Sequence, residues 1–340
     1  MLARCFMVLI CLPIFSQAQE SEQGSKQTAD LAERKYSIVI HGGAGGNPAQ
    51  WSKEHKDARR DGLNAALEKG LQMLEAGGHS LDVVESVIRI LEDDPTFNAG
   101  RGAVLNENGE HELDASIMNG KTLSCGAVGS VRTMKHPISV ARKVMSETRH
   151  VLLIGNGAEK FGLSQGLETE KPEYFRTPKR LQQWQDWKNR QAKKSAASVA
   201  KPESYFGTVG CVVLDQHGDL AAGTSTGGLM GKRWGRVGDS PIIGAGNYAD
   251  NGTCAVSGTG IGEEFIRRNI AADVAARMRY GGVTLASAAK ATIKSLPENA
   301  GGIICVDASG NVVMEFNTIG MSRAFANSEG DRGIMLSLVE

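Results

Sequence analysis

An excess of charge of either sign is absent from this chain. Its 340 residues carry 38 Lys and Arg against 38 Asp and Glu. That balance argues against a general binder of nucleic acid or acidic surfaces, which needs a basic excess. Histidine is scarce: His41, His55, His79, His111, His136, His150 and His217 show no metal-ligand spacing such as His-x-x-x-His. A metallohydrolase is therefore disfavoured, and any catalytic base has to be something other than imidazole. The six cysteines form no Cys-x-x-Cys pair, which argues against a zinc site or a redox dithiol. Long apolar runs are also missing. Phe6 to Phe15 is the nearest approach, and it is too short to span a bilayer as a stable helix.

What is present predicts an exported globular protein. A short positive start (Met1 to Arg4), that apolar run and Ser16-Gln17-Ala18 read as a signal peptide over residues 1–18. The mature protein is expected to be periplasmic or secreted, with no membrane attachment after cleavage. Cys5 and Cys11 leave with the signal, and Cys125, Cys211, Cys254 and Cys305 are expected as buried free thiols. With 41% hydrophobic and 22% charged residues the chain can bury a large core. Its 42 glycines, about 12% against a usual ~7%, suggest tight turns and backbone packed close to a ligand.

Along the chain, Tyr36 to Ile40 reads as a strand running into His41-Gly42-Gly43-Ala44-Gly45-Gly46. Leu63, Leu67, Leu71 and Leu74 have helical spacing up to Gly77-Gly78, and Ser80 is expected to cap the next helix. Periodicity fades over residues 163–206, whose part from 171 carries nine Lys and Arg against three Asp and Glu. This segment is expected to be a flexible linker with one amphipathic turn around Leu181, Trp184 and Trp187. Two hairpins follow, Thr208–Leu214 with Leu220–Thr226, and Ile303–Asp307 with Val312–Phe316, with helical stretches between them. Hairpins and helices in separate blocks predict an α+β protein, antiparallel sheets covered by helices, in one catalytic domain.

Two Gly-x-Ser-x-Gly sequences, around Ser164 and Ser225, suggest a serine hydrolase. That order requires a histidine after the serine. His217 is the last histidine, so Ser225 has no downstream base and Ser164 lacks a strand-turn-helix setting. A threonine that becomes a chain terminus needs no histidine, because its α-amine, with a reference pKa of about 7.7–8.0, can accept the hydroxyl proton. Thr208 is the candidate: it follows Gly207, where the linker ends, and opens an apolar strand. If Asp215 pairs near Leu220, Thr208 falls opposite Thr226 or Gly227. Gly235-Arg236-Val237-Gly238-Asp239-Ser240-Pro241 then offers a guanidinium and a carboxylate suited to a small zwitterion. Ser257-Gly258-Thr259-Gly260-Ile261-Gly262-Glu263 enters a helix and can direct N–H groups and a hydroxyl at an oxyanion.

These segments, with Phe97-Asn98-Ala99-Gly100 and Thr224-Ser225-Thr226-Gly227-Gly228, resemble the isoaspartyl peptidase/L-asparaginase family of plant-type asparaginases, which belong to the N-terminal-nucleophile hydrolases. The resemblance covers residues 36–325. It implies an αββα four-layer sandwich cut between Gly207 and Thr208 into an α subunit (19–207) and a β subunit (208–340), assembled as an (αβ)₂ heterotetramer. It implies Thr208 as nucleophile, Thr226 as its hydroxyl neighbour, Asn98 beside it, and Thr259 and Gly260 as oxyanion hole. Arg236 holds the substrate α-carboxylate and Asp239 its α-ammonium, with Val237, Gly238, Ile261 and Gly262 lining the pocket. The carbonyls of Leu91, Glu92, Asp94, Phe97, Ala99 and Arg101 match a loop that wraps a structural sodium ion, and catalysis needs no cofactor. The implied activity is hydrolysis of β-aspartyl dipeptides and L-asparagine. Gly207 stands where glycosylasparaginases have aspartate, which disfavours that alternative, and a non-catalytic amino-acid-binding protein would make no use of Thr208. Trp234, where relatives often have proline, is expected to affect access to the pocket.

Overall fold

Alternation within the strands sets the layers. In β1 (Ser37–Ala44) Ile38 and Ile40 point into one core and Val39 into another. In β5 (Val209–Leu214) Val209, Cys211 and Val213 share the first core while Val212 and Leu214 join the second. Both faces of these strands are buried, the pattern of a sheet enclosed between two layers. The computed structural model describes residues 35–193 and 207–337; the expected signal peptide and the end of the expected linker lie outside them.

The remaining elements of the first sheet are β2 (Leu113–Asn119), β3 (Cys125–Val131), β4 (Leu152–Ile154), β6 (Leu220–Thr226), β11 (Gly320–Asn327) and β12 (Arg332–Ser337). Its eight strands run in the order β12-β11-β1-β5-β6-β2-β3-β4, antiparallel except for the parallel pair β3–β4. The second sheet contains β7 (Asn247–Ala249), β8 (Cys254–Gly260), β9 (Gly301–Asp307) and β10 (Val312–Phe316) in the order β10-β9-β8-β7. Helices α1 (Lys53–Glu75), α2 (Ser80–Asp93) and α3 (Pro137–Glu147) cover the first sheet. Helices α7 (Gly262–Arg268), α8 (Ile270–Gly281) and α9 (Leu285–Lys294) lie on the side of the second. The sheets meet through Val39, Val212, Leu220, Ala222, Ile304 and Val306. The result is a four-layer αββα sandwich, the architecture that the family resemblance implies.

Two sequence expectations need correction. Ser80 is the first residue of α2 and does not cap it. Its N–H is satisfied instead by Asp215 Oδ2 at 2.7 Å, a carboxylate from the β5–β6 turn placed at the positive helix end. Residues 163–193 are not a pliable linker either. They hold the end of α4 (Gly155–Ser164), the single turn α5 (Pro172–Phe175) and α6 (Pro178–Lys193). The spacing of Leu181, Trp184 and Trp187 marks the docked side of α6. Trp184 donates Nε1–H to the Asn106 carbonyl (2.9 Å) and lies against Gly109, while Trp187 lies against Gly231. Three large side chains in a polar, basic helix make a weak periodic signal, and glycine gives the two tryptophans room. Among the described residues the four cysteines are unpaired; Cys211, Cys254 and Cys305 are buried, and burial raises their thiol pKa values.

Candidate active site

The β5–β6 hairpin delivers its first threonine to the second. Val209 pairs with Ser225 and Leu214 with Leu220, so the same register sets Thr208 opposite Thr226. Asp215 fixes that register by accepting N–H bonds from His217 (2.9 Å) and Asp219 (3.0 Å), with Gly218 at φ 80°. Thr208 is buried and donates its hydroxyl to Thr226 Oγ1 at 3.2 Å. Thr226 Oγ1 also accepts the N–H of Gly228 at 3.0 Å, which turns its lone pairs toward Thr208 and the next loop.

Asn98 organises the backbone around that hydroxyl pair. Its own N–H donates to the Gly207 carbonyl (3.2 Å), the carbonyl of the bond expected to break. Its side chain accepts from Val104 N–H (2.9 Å) and donates to the Gly228 carbonyl (2.9 Å), and its carbonyl accepts from Gly227 N–H (3.0 Å). Gly43, at φ 111°, comes so close that a Cβ there would sit 2.4 Å from Gly207 Cα. A side chain at 43 would displace the 207–208 peptide.

Beneath Thr208 lies a residue whose role the sequence reading missed. His41 is buried, and its ring contacts the Thr208 carbonyl through Nδ1 (2.9 Å) and Ser257 Oγ through Nε2 (2.9 Å). A carbonyl only accepts, so Nδ1 carries the proton and Nε2 accepts from the Ser257 hydroxyl. Burial lowers the imidazole to about 3, despite the opposing bond to Thr208, so the ring is neutral. Gly210 makes the slot: a Cβ there would fall 2.3 Å from His41 Nε2. The scarcity of histidine directed attention away from a ring that positions rather than titrates.

Charged groups close the other side. Gly207, Thr208, Thr226, Gly228, Leu229, Arg236, Asp239 and Gly260 surround a slot of about 10 Å³, about the space of one water. Arg236 stands on a tight turn whose two central residues, Trp234 (φ 56°) and Gly235 (φ 71°), are left-handed, with Arg236 N–H donating to the Arg233 carbonyl (2.9 Å). Trp234 is 92% exposed at the apex of that turn. The Arg236 guanidinium makes a two-pronged bond to Glu263 at 3.0 and 3.1 Å. Glu263 lies in the first turn of α7, and the sequence gives no sign of this pairing. Asp239 is buried with Oδ2 lacking a hydrogen-bond partner, and burial pushes its carboxyl up to about 7 against the lowering charge of Arg236. Gly262 makes the arrangement possible, because a Cβ there would meet Arg236 Nη2 at 2.7 Å and Asp239 Oδ1 at 2.8 Å.

Other expected site residues flank the slot. Thr259 is buried and its hydroxyl accepts the Ala44 N–H at 3.3 Å, leaving its proton for another acceptor. Gly238 lies under the Arg236 guanidinium. Val237 points toward Gly129 and Ile261 packs on the second helical core, so both face away from the slot.

The expected sodium ligands lie on the turn after α2. Pro95 has no N–H, so the Leu91 carbonyl has no donor four residues on, and the Thr96 N–H goes to Asp94 Oδ1 (2.8 Å). A Cβ on Gly100 would lie 2.3 Å from the Glu92 oxygen, and one on Gly102 would lie 2.1 Å from the Phe97 oxygen. The Asp94 and Ala99 carbonyls accept N–H bonds from Phe97 (3.3 Å) and Gly102 (3.0 Å). Backbone carbonyls are the ligand type a hard cation takes, so the donor chemistry of this turn is compatible with one.

Comparison with known proteins shows which family the chain resembles along most of its length. The asparaginase family profile matches residues 34–336. An isoaspartyl peptidase of Salmonella typhimurium is 47% identical over 303 residues, covering 86% of this chain and 95% of that protein. An isoaspartyl peptidase of Escherichia coli is 46% identical, covering 86% and 92%. An isoaspartyl peptidase/L-asparaginase of Mus musculus is 42% identical, covering 88% and 90%.

Proposed function

The chain belongs to the asparaginase family, and from that premise we propose how its residues hydrolyse isoaspartyl peptides and L-asparagine. The observation that carries the reading is a buried threonine hydroxyl, directly after Gly207, bonded to Thr226 and facing Arg236 and Asp239 across one small slot. In a first stage Thr208 Oγ attacks the Gly207 carbonyl, whose oxygen has the Asn98 N–H as donor. The peptide C–N bond breaks, an ester forms, and the Thr208 nitrogen takes the proton. Water then hydrolyses the ester to a Gly207 carboxylate and a free Thr208 amine.

In the second stage that amine is the base. It takes the Oγ proton as the oxygen attacks the substrate's side-chain carbonyl, and it returns the proton to the departing amine or ammonia. Thr259 and the Gly260 N–H stabilise the oxyanion. Arg236 exchanges Glu263 for the substrate α-carboxylate, and Asp239 offers its partnerless oxygen to the α-ammonium. Water releases aspartate from the β-aspartyl ester. His41 holds the Thr208 carbonyl throughout, and after the cut it is the contact that still steers the residue's main chain ahead of the β5 ladder. The sodium reading belongs here as well: an ion on the carbonyls after α2 would brace the turn that carries Asn98 and would supply no chemistry to the reaction. Assembly as (αβ)₂ and export through the residue 1–18 signal complete the proposal, the latter on sequence alone.

Purified protein is expected to hydrolyse β-Asp-Leu and L-asparagine, and preference for a glycosylated asparagine over both would contradict the reading. The pH dependence follows from two groups that work deprotonated. Asp239 titrates at about 7, and a terminal amine at about 7.7–8.0. Activity therefore rises with pH. Below about pH 6.5 the slope of log kcat/KM against pH steepens toward two, and a profile flat down to about pH 5 would exclude both assignments.

A further inference from the structure

Gly207 but not Thr208 lines a second cavity, of about 660 Å³, whose walls include the glycine loop from Gly43, Trp51, Arg59, Lys179 and Arg180. Its charge is one-sided. No acidic side chain lines it among the described residues. Arg59 is buried and donates to Ser322 Oγ (2.9 Å) and the Gly42 carbonyl (2.7 Å), with the Trp51 and Phe97 rings 5.1 and 5.2 Å from its guanidinium carbon. Arg180, also buried, donates to the Gly102 carbonyl (2.6 Å) and to Gln183 (3.0 Å). Lys179 Nζ contacts His55 Nδ1 at 3.3 Å. All these contacts are to neutral groups. The field is felt locally: partial burial, then Lys179, Arg59 and Arg180, lower His55 to about 4. Arg59 feels the Asp94 carboxylate, which does not line the cavity, so the three cations share one counter-charge and keep a positive excess that a bound anion would offset.

We propose that this cavity is a carboxylate-binding site of the processed enzyme, with Lys179 and Arg180 as direct donors and Arg59 as the charge behind them. The inference rests on the self-cleaving hydrolase reading, which generates two carboxylates at this wall. One is the carboxylate that Gly207 acquires when its peptide bond is cut. The other is the α-carboxylate of the amino acid leaving a β-aspartyl dipeptide, a group that asparagine, which releases ammonia, does not have. Either one places an anion where the cavity has none of its own. The second would make the cavity a leaving-group subsite that distinguishes dipeptides from asparagine.

The test uses full-length processed protein and the variant Lys179→Met, with the double variant Lys179→Met/Arg180→Met as a stronger perturbation. Asparagine turnover serves as the folding control. For the leaving-group source, wild type should show kcat/KM at least about tenfold higher for β-Asp-Leu than for its C-terminal amide, the effect of one charge-assisted bond. That ratio should fall toward one in the variants while asparagine turnover holds. For the cleavage source, carboxypeptidase should spare Gly207 in wild type and remove it in the variants, read by mass of the α subunit. A ratio near one together with equal trimming in all proteins overturns the proposal. Wild type that neither cuts itself nor hydrolyses asparagine overturns the underlying reading instead.

Discussion

Thr208→Ala is expected to yield one uncut polypeptide whose turnover is lower by about 10⁴–10⁶-fold, as when a nucleophile is deleted elsewhere. One atom serves both stages, so cutting and hydrolysis should disappear together. The methyl group and backbone of Thr208 make few demands that alanine cannot meet. The strand still begins at Val209, and the His41 contact is to the main-chain carbonyl. Folding should therefore survive, and a normal melting transition would assign the loss to chemistry. Thr208→Ser keeps the hydroxyl on a side chain with freer χ1 and should cut more slowly without stopping. A denaturing gel over time, with β-Asp-Leu assays on the same samples, reads all three proteins.

Gly262→Ala separates the two stages. The added methyl would need to occupy space 2.7 Å from Arg236 Nη2 and 2.8 Å from Asp239 Oδ1. Both groups must shift, while the 207–208 peptide, held by Asn98 and Gly43, is untouched. Cleavage should proceed and substrate recognition should fail. Misplacing one charge-assisted contact costs about 1.5–3 kcal/mol, so disturbing two predicts a loss in kcat/KM of about 10²–10³ or more. Uncut Gly262→Ala protein would mean that the zwitterion pocket also shapes the scissile bond.

Legibility differed between layers of this molecule for physical reasons. The β5–β6 register was readable because alternating apolar residues meet an Asp-x-x-Gly turn, which leaves few pairings, and Thr208 opposite Thr226 followed. The sandwich was readable in outline from blocks of hairpins and helices, and in full from its family resemblance. Helix α6 was not. Its composition is that of a solvated segment, and the two tryptophans dock on Gly109 and Gly231, which are far away in sequence. The same distance hid the links that complete the site. His41 meets Thr208 across 167 positions, and Glu263 meets Arg236 across 27. Composition and spacing reveal which chemistry a segment can perform; such long-range partners become visible only once the sheets are stacked.

N-terminal sequencing of purified, active protein bears on the central claim most directly. A fraction of chains beginning Thr208-Val209-Gly210, equal in amount to the upstream fragment and absent from Thr208→Ala, is the result expected. Full activity in preparations whose chains all run unbroken through Gly207 and Thr208 would contradict it, since the threonine would then have no amine of its own to accept the proton.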